Sequence, residues 1–206
     1  MIDEQTIIKG ASLLYSKYGI KSVIISDVAS VIGISKKTIY EYFTGKDQLI
    51  EKVIDYNLES FLTSLIQKTS ANDNIFRNLC LINLNIVTEV KKFNPSYVYD
   101  LKKYHHKQYL KILAFRDQKL FGLVESWIKK GIHTGIFRSD TDIRNVFQNI
   151  MHKISVLISD SGFVWNGNLS ASKVYHLMLN DIRGITTLKG HEIFDREYDT
   201  FLQLKP

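Results

Sequence analysis

Cysteine is almost missing from this chain: Cys80 stands alone among 206 residues. No disulfide can form within the chain, and a reducing compartment fits. Proline is nearly as scarce, with only Pro95 and Pro206, so little interrupts a helix. No uncharged run approaches the ~20 residues that a membrane span needs. The start, "MIDEQTIIKGASLLYSKYG", carries acids where a signal peptide would carry basic residues before an apolar run. No membrane association is expected, and a cytoplasmic location is. Phosphate-binding loops, Gly-rich dinucleotide turns and nucleophile elbows are also missing. Neither a cofactor nor an enzymatic activity is expected.

Metal-ligand spacing is absent as well. His105 and His106 are adjacent, which on a helix points them about 100° apart, and neither has a Cys or an acid at i+4. His133, His152, His176 and His191 are isolated. Cys80 lies in the apolar run "NLCLINL", where a thiol reads as core rather than nucleophile.

What is present can build a core. The chain is 45% hydrophobic and 23% charged, with 27 basic residues against 21 acids. That excess admits nucleic acid or another anion without choosing between them. The basic residues are unevenly placed. Residues 1–50 hold six lysines against five acids, whereas residues 91–119 hold eight Lys or Arg against Asp100 and Asp117 alone. A dense basic stretch of this kind is most simply a solvated helix face.

Apolar residues recur at spacings of three and four throughout, and no segment alternates as a strand does, so the fold is expected to be all-α. Ile7, Ala11, Leu14, Tyr15 and Tyr18 line one face of a first helix that stops at Gly19. Ser26 is placed to cap a second helix with Val28, Ala29 and Ile32 inward and Gly33 as its stop. Ser35 is placed to cap a third, "KKTIYEYF", with Ile39 and Phe43 inward. A fourth helix follows "TGKD" and runs to about Thr69. Further helices are expected over 72–93, over 96–103, and from there as one long helix to "KKGIHTGIF". Two more carry Val146, Phe147, Ile150, Met151, Ile154, Leu157 and Ile158, and then Val174, Leu177, Met178, Ile182 and Ile185. "SGFVWNGNLS" reads as the loop between them and the last dozen residues as an appendage. A domain boundary is expected near residue 46, dividing 1–46 from 47–206.

A helix ending in Gly, a tight link and a short polar helix form a helix-turn-helix pattern. It explains why "KKTIYEYF" is so polar: one side of a recognition helix must present donors and methyl groups to base edges. Lys36 and Lys37 sit in its first turn, where a lysine reaches guanine O6 and N7 or a phosphate. Thr38 and Tyr40 suit a thymine methyl or a phosphate oxygen. Ser26, Ser35, Tyr42 and Lys46 sit at helix ends suited to phosphate.

These residues carry a resemblance. "IIKGASLLYSKYGIKSV" followed by "ISDVASVIGISKKTIYEYFTGKDQLIEKVI" is similar to the DNA-binding region of TetR-type transcriptional regulators, over residues 5–55. "LLYSKYG" closes the first helix, "VA..IGIS" spans the helix-turn-helix, and "TIYEYF..KD.L" joins the recognition helix to the fourth. Lys37 departs from the pattern, since many such proteins carry a small residue there, often glycine. The resemblance implies a three-helix DNA-binding domain and a larger C-terminal helical domain for ligand binding and dimerisation. It also implies a homodimer on a near-palindromic double-stranded DNA operator, most simply a repressor released by a small molecule.

"KKGIHTGIFRSDTDIRNVFQNIMHKI", residues 129–154, resembles the family's C-terminal domain and implies dimerisation through the last two long helices. Phe61, Phe76, Phe93, Tyr97, Tyr104, Tyr109 and Trp127 are candidates to line a site for an apolar or amphipathic ligand, although aromatics are more often core. The alternative reading is an all-helical ligand carrier or enzyme whose N-terminal helices are only a structural cap. Such a carrier would need Ile39 and Phe43 but would have no use for Lys36, Lys37, Tyr42 and Lys46 facing outward.

Overall fold

The computed structural model describes residues 3–71, 73–159 and 179–202. Among them, regular structure is helical apart from one isolated bridge between Phe137 and Thr186. The helices are α1 Glu4–Tyr18, α2 Ile25–Ile32, α3 Lys36–Tyr42, α4 Lys46–Ser70, α5 Ile75–Lys91, α6 Pro95–Tyr104 and α7 His106–Phe115. A wide π turn, Arg116–Leu120, leads to α8 Phe121–His133, α9 Ile143–Ser159 and α10 Leu188–Leu202; residues 179–184 are also helical. The expected loop "SGFVWNGNLS", with Val174, His176, Leu177 and Met178, lies outside the described residues.

The chain forms two compact units that do not follow chain order. One is Met1–Thr63 with Lys91–Phe115, and the other is Ser64–Val90 with Arg116–Pro206. The first contains α1–α3, most of α4, α6 and α7. Its core joins Ile7, Ala11, Leu14 and Tyr15 of α1 to Val28, Ala29, Ile39, Phe43, Leu49 and Val53, and to Tyr97 and Leu101 of α6. Burying a Leu, Ile or Phe contributes about 1.5–3 kcal/mol each, so this cluster sets where the short helices sit. Tyr18 was expected on this inward face, but it is half exposed with the Lys17 ammonium 5.0 Å from its ring. At the last turn of α1 the ring lends a face to the cation.

The caps explain the first three helices. Asp3 accepts the Thr6 N–H at 2.8 Å and opens α1. Ser26 does not cap α2: the helix begins at Ile25 and Ser26 lies exposed in its first turn. There the Asp27 carboxylate accepts the Ile24 N–H at 2.8 Å, placing a negative charge at the positive end of the helix. Gly33 ends α2 at φ +72°, a left-handed conformation that glycine adopts without a steric penalty. Ser35 caps α3 as expected, accepting the Thr38 N–H at 3.0 Å.

The second unit is centred on α5, which is buried on nearly every side. Asparagines there use local acceptors. Asn83 and Asn85 donate to the carbonyls of Leu79 and Leu81 at 2.7 and 2.8 Å, and Lys68 donates to Asn85 at 2.8 Å. Cys80 is fully buried, and that burial pushes its thiol up to about 12. The unbroken helix expected from residue 103 to about 133 is divided, first at His105, whose backbone leaves the helical region, and again at the π turn. Phe147, Ile150, Met151 and Ile154 of α9 are buried within this single chain, while Val156 is exposed.

Of the last dozen residues, expected as an appendage, those as far as Leu202 continue α10. Phe194 on α10 is fully buried, with its ring 5.2 Å from that of Phe76, and Phe76 packs edge-on against Phe137 at 5.5 Å. Lys153 pairs with Asp181 at 2.6 Å and Arg183 with Asp195 at 2.8 Å, so α9, the 179–184 turns and α10 are tied together. Phe194→Ala should therefore destabilise this unit by about 3–5 kcal/mol, as a core cavity does. Urea unfolding followed by far-ultraviolet circular dichroism checks this, and an unchanged midpoint would remove Phe194 from the core of the unit.

Candidate nucleic-acid interface

Helix α3 is two-sided. Ile39 and, just past its end, Phe43 are buried, whereas Lys36, Lys37, Tyr40, Glu41 and Tyr42 are exposed. Tyr40 is 48% and Tyr42 41% accessible. The buried side holds the helix on the α1–α2–α4 core, and everything polar is left on the outer side. The Lys36 ammonium lies 5.7 Å from the Tyr40 ring centre, a loose cation–π approach on successive turns. Ser35 and Thr38 share a hydroxyl–hydroxyl hydrogen bond of 2.9 Å at the start of the helix. Lys36, Lys37, Thr38 and Tyr40 are thus brought together on one short element, flanked by Ser35 and Tyr42.

Lys46 is placed differently. At the first residue of α4 it is half-buried, and its Nζ donates to the Ile20 carbonyl at 2.6 Å. Burial lowers its pKa, with the opposing pull of Asp100 next in size, followed by those of Asp47 and Asp27. The ammonium braces the α1–α2 turn. Helix α6 reinforces the same turn from the other side. The buried Asp100 carboxylate accepts the Lys21 N–H at 2.8 Å, and the Asn94 N–H donates to the Ser16 carbonyl at 2.7 Å. Gly19 has φ +82°, and an added Cβ would come within 2.3 Å of Ser96 Oγ and 3.2 Å of Asp100 Oδ2. Only glycine allows α6 this close. His105, at the junction of α6 and α7, lies 3.5 Å from Asp47 on α4.

Asp100 and His105 were not among the residues expected to matter. The available signal was that Asp100 is one of only two acids in the basic stretch 91–119. Within that stretch Lys107 faces Glu51 at 3.5 Å and Lys111 pairs with Asp55.

The aromatic candidates for ligand binding divide between the two units. In the first unit Tyr97 is buried core with Phe93 stacked 4.5 Å away, and Tyr109 packs partly on the same cluster. Phe61 meets Phe115 at 6.5 Å, and Tyr104 is exposed beside Lys21. Phe76 is core of the second unit, where Trp127 is half-buried. Among the described residues no three His, Cys, Asp or Glu side chains converge on a metal position. None of the described helices is long and apolar enough to cross a membrane.

The core-anchored α3 with its outward polar side, following α2 through a glycine turn, defines a helix-turn-helix module in an all-helical chain. Residues 7–53 match the family described as bacterial regulatory proteins, tetR family. The uncharacterized HTH-type transcriptional regulator YvaF of Bacillus subtilis (strain 168) is 31% identical over 105 residues, covering 46% of this chain and 50% of that protein. The match therefore spans about half the length of this curated relative. Among solved structures, a transcriptional regulator from Saccharomonospora viridis in complex with choline superposes with a TM-score of 0.72 at 17% identity, covering 89% of this chain and 97% of that one. A TetR-family regulator from Cytophaga hutchinsonii gives 0.70 at 18% identity, covering 89% and 94%. The fatty acid degradation regulator FadR of Bacillus halodurans gives 0.66 at 16%, covering 87% and 92%. Residues 7–53 thus carry the pattern of the tetR family, and 89% of the chain shares the all-helical fold of the Saccharomonospora viridis and Cytophaga hutchinsonii proteins.

Two outcomes follow from the bracing of the turn. Lys46→Ala should lower the stability of the first unit by about 1.5–3 kcal/mol, the scale of a hydrogen bond from a charged donor. Hydrogen exchange at the Lys21 and Ser22 amides should rise in parallel, and an unchanged unfolding midpoint would return Lys46 to a purely external role. His105 gives a pH dependence. Burial, the larger influence, holds its pKa below the ordinary 6.5, against the pull of Asp47. The unfolded chain therefore takes up the proton first as pH falls. The stability contribution is complete above about 6.5 and is lost as pH falls from there through the lower folded pKa. Urea midpoints measured between pH 7 and pH 5 should fall more for the native protein than for His105→Gln.

Proposed function

We propose that this protein is a sequence-specific DNA-binding transcriptional regulator that reads one half-site with each α3. The carrying observation is the composition of α3's outward side, where two lysines and two tyrosines are exposed while Ile39 is buried. Lys36, Lys37, Thr38 and Tyr40 address base edges in the major groove, and a good base contact of this kind discriminates by about 1–3 kcal/mol. Ser26, Ser35 and Tyr42 hold phosphates, and Lys46, with one N–H donated to the Ile20 carbonyl, offers its others to the DNA backbone. The reading head is the helical segment 1–46, and the remainder, 47–206, carries ligand binding and dimerisation.

The working form is a homodimer on a near-palindromic operator, because one seven-residue helix reads too few base pairs alone. The two α3 helices would meet successive major grooves ~34–36 Å apart. The family reading supports dimerisation, whereas Phe147, Ile150, Met151 and Ile154 of α9, buried within their own chain, do not by themselves require a partner. Repression with release by an apolar or amphipathic small molecule is the simplest regulatory scheme. A ligand that favours a different head spacing would loosen both half-sites at once. The choline bound to the Saccharomonospora viridis regulator supports the existence of a small-molecule site in proteins of this fold.

The test is selection from random duplex DNA near physiological salt, repeated with Lys36→Ala and Tyr40→Ala. The expected result is a two-fold symmetric site whose information content falls in the variants, with about tenfold or more loss of preference over random DNA. Binding that is salt-sensitive but enriches no sequence would overturn the reading.

A further inference from the structure

The basic stretch 91–119 is not electrostatically uniform. Lys107 and Lys111 face Glu51 and Asp55, and Arg116 pairs with Asp117 at 2.7 Å. Lys103 at the end of α6 is different. Its ammonium donates to the Tyr99 hydroxyl at 2.8 Å and lies 5.4 Å from the Tyr104 ring. From the α1–α2 turn, Lys21 donates to the Tyr104 hydroxyl at 3.1 Å with its ammonium 4.7 Å from the same ring. Tyr99 and Tyr104 pack edge to face at 6.5 Å and are 54% and 44% exposed. Among the described residues no carboxylate pairs with either lysine side chain. Asp100, the nearest acid along the helix, is buried and directed to the Lys21 backbone N–H.

Tyrosine hydroxyls and ring faces can hold an ammonium in place without neutralising it. The hydrogen bond from Lys21 lowers the Tyr104 phenol, and those to Tyr99 and Tyr104 raise Lys103. The result is an exposed, positioned cationic face beside the α1–α2 turn, in the same compact unit as α3. Position selects the partner. Lys21 lies four residues before α2, and in a helix-turn-helix the first of the two helices crosses the sugar–phosphate backbone.

We propose that Lys21 and Lys103, held by Tyr104 and Tyr99, contact backbone phosphates of the duplex beside the half-site read by α3. This rests on the DNA-binding reading. The contacts are sequence-independent, so α6 adds affinity and salt dependence without adding discrimination.

The test measures affinity against salt concentration for the selected operator and for a random duplex, using the native protein, Lys103→Gln and the Lys21→Gln/Lys103→Gln double variant. Removing one lysine–phosphate pairing should flatten the log–log slope by about 0.9. Each substitution removes two such pairings from the homodimer, so the single variant should shift by about two and the double by about four, equally on both duplexes, with operator preference retained. Both side chains are exposed, and unchanged circular dichroism and melting confirm that the variants remain folded. Should the double variant melt early, Lys103→Gln alone decides. An unchanged slope in folded protein overturns the proposal while leaving an enriched operator intact. Failure of the native protein to enrich any site would instead sink the regulator reading beneath it. Loss of binding to phosphatidylserine vesicles with the DNA slope unchanged would assign the face to a lipid surface and also overturn the proposal.

Discussion

The hydrogen bond from the Lys21 N–H to the buried Asp100 carboxylate is the constraint on which the N-terminal unit depends. A turn between helices has backbone donors with no helical partner, and burying one unmet costs about 1–3 kcal/mol. Here the acceptor comes from α6. The Gly19 conformation, the Ser96 contact, the Asn94 bond to Ser16 and the Lys46 bond to Ile20 surround the same few residues. The turn fixes the start of α2, α2 sets the glycine turn at Gly33, and that turn aims α3. The outward side of the recognition helix is thus positioned by a residue almost eighty positions further along the chain.

That dependence separates what could be read in the sequence from what could not. Ile39 and Phe43 were legible because their spacing is helical and their neighbours are polar, and Ser35 because a hydroxyl before a short helix has one efficient use. Ser26 misled because a second acceptor, Asp27, lay one residue further on and carried a full charge. Tyr18 misled because periodicity assigns a direction but not a depth, and a phenol at a helix end can satisfy both ring and hydroxyl at the surface. Phe194 reads as isolated among charged residues. Only tertiary packing against Phe76 makes it core, and no local pattern encodes that. The π turn left no sign in the hydrophobic period. The role of Asp100 was hidden by distance along the chain, although its rarity as an acid in a basic stretch was visible.

Charge behaves the same way. By count, the first fifty residues are nearly neutral and the segment 91–119 is strongly basic, which would direct attention away from α3. The folded arrangement reverses that weighting. Lys107, Lys111 and Arg116 have carboxylate neighbours, whereas Lys36 and Lys37 stand on the open side of a helix and Lys103 is held by phenols. The useful quantity is the charge that remains without a counterion after folding, and only tertiary structure determines it.

The first unit is assembled from two separated stretches, with α5 lying between them in the chain and belonging to the other unit. A ribosome releases residues in order, so α1–α4 emerge well before α6 exists to supply Asp100, Tyr97 and Leu101. Until roughly residue 115 has left the exit tunnel, the nascent reading head lacks one wall of its core and the acceptor for its turn. Closing the long intervening loop slows that step, since non-local contacts form only after the entropy of closure is met. Acquisition of a fully formed DNA-reading surface is thereby deferred until the 91–115 stretch has been made.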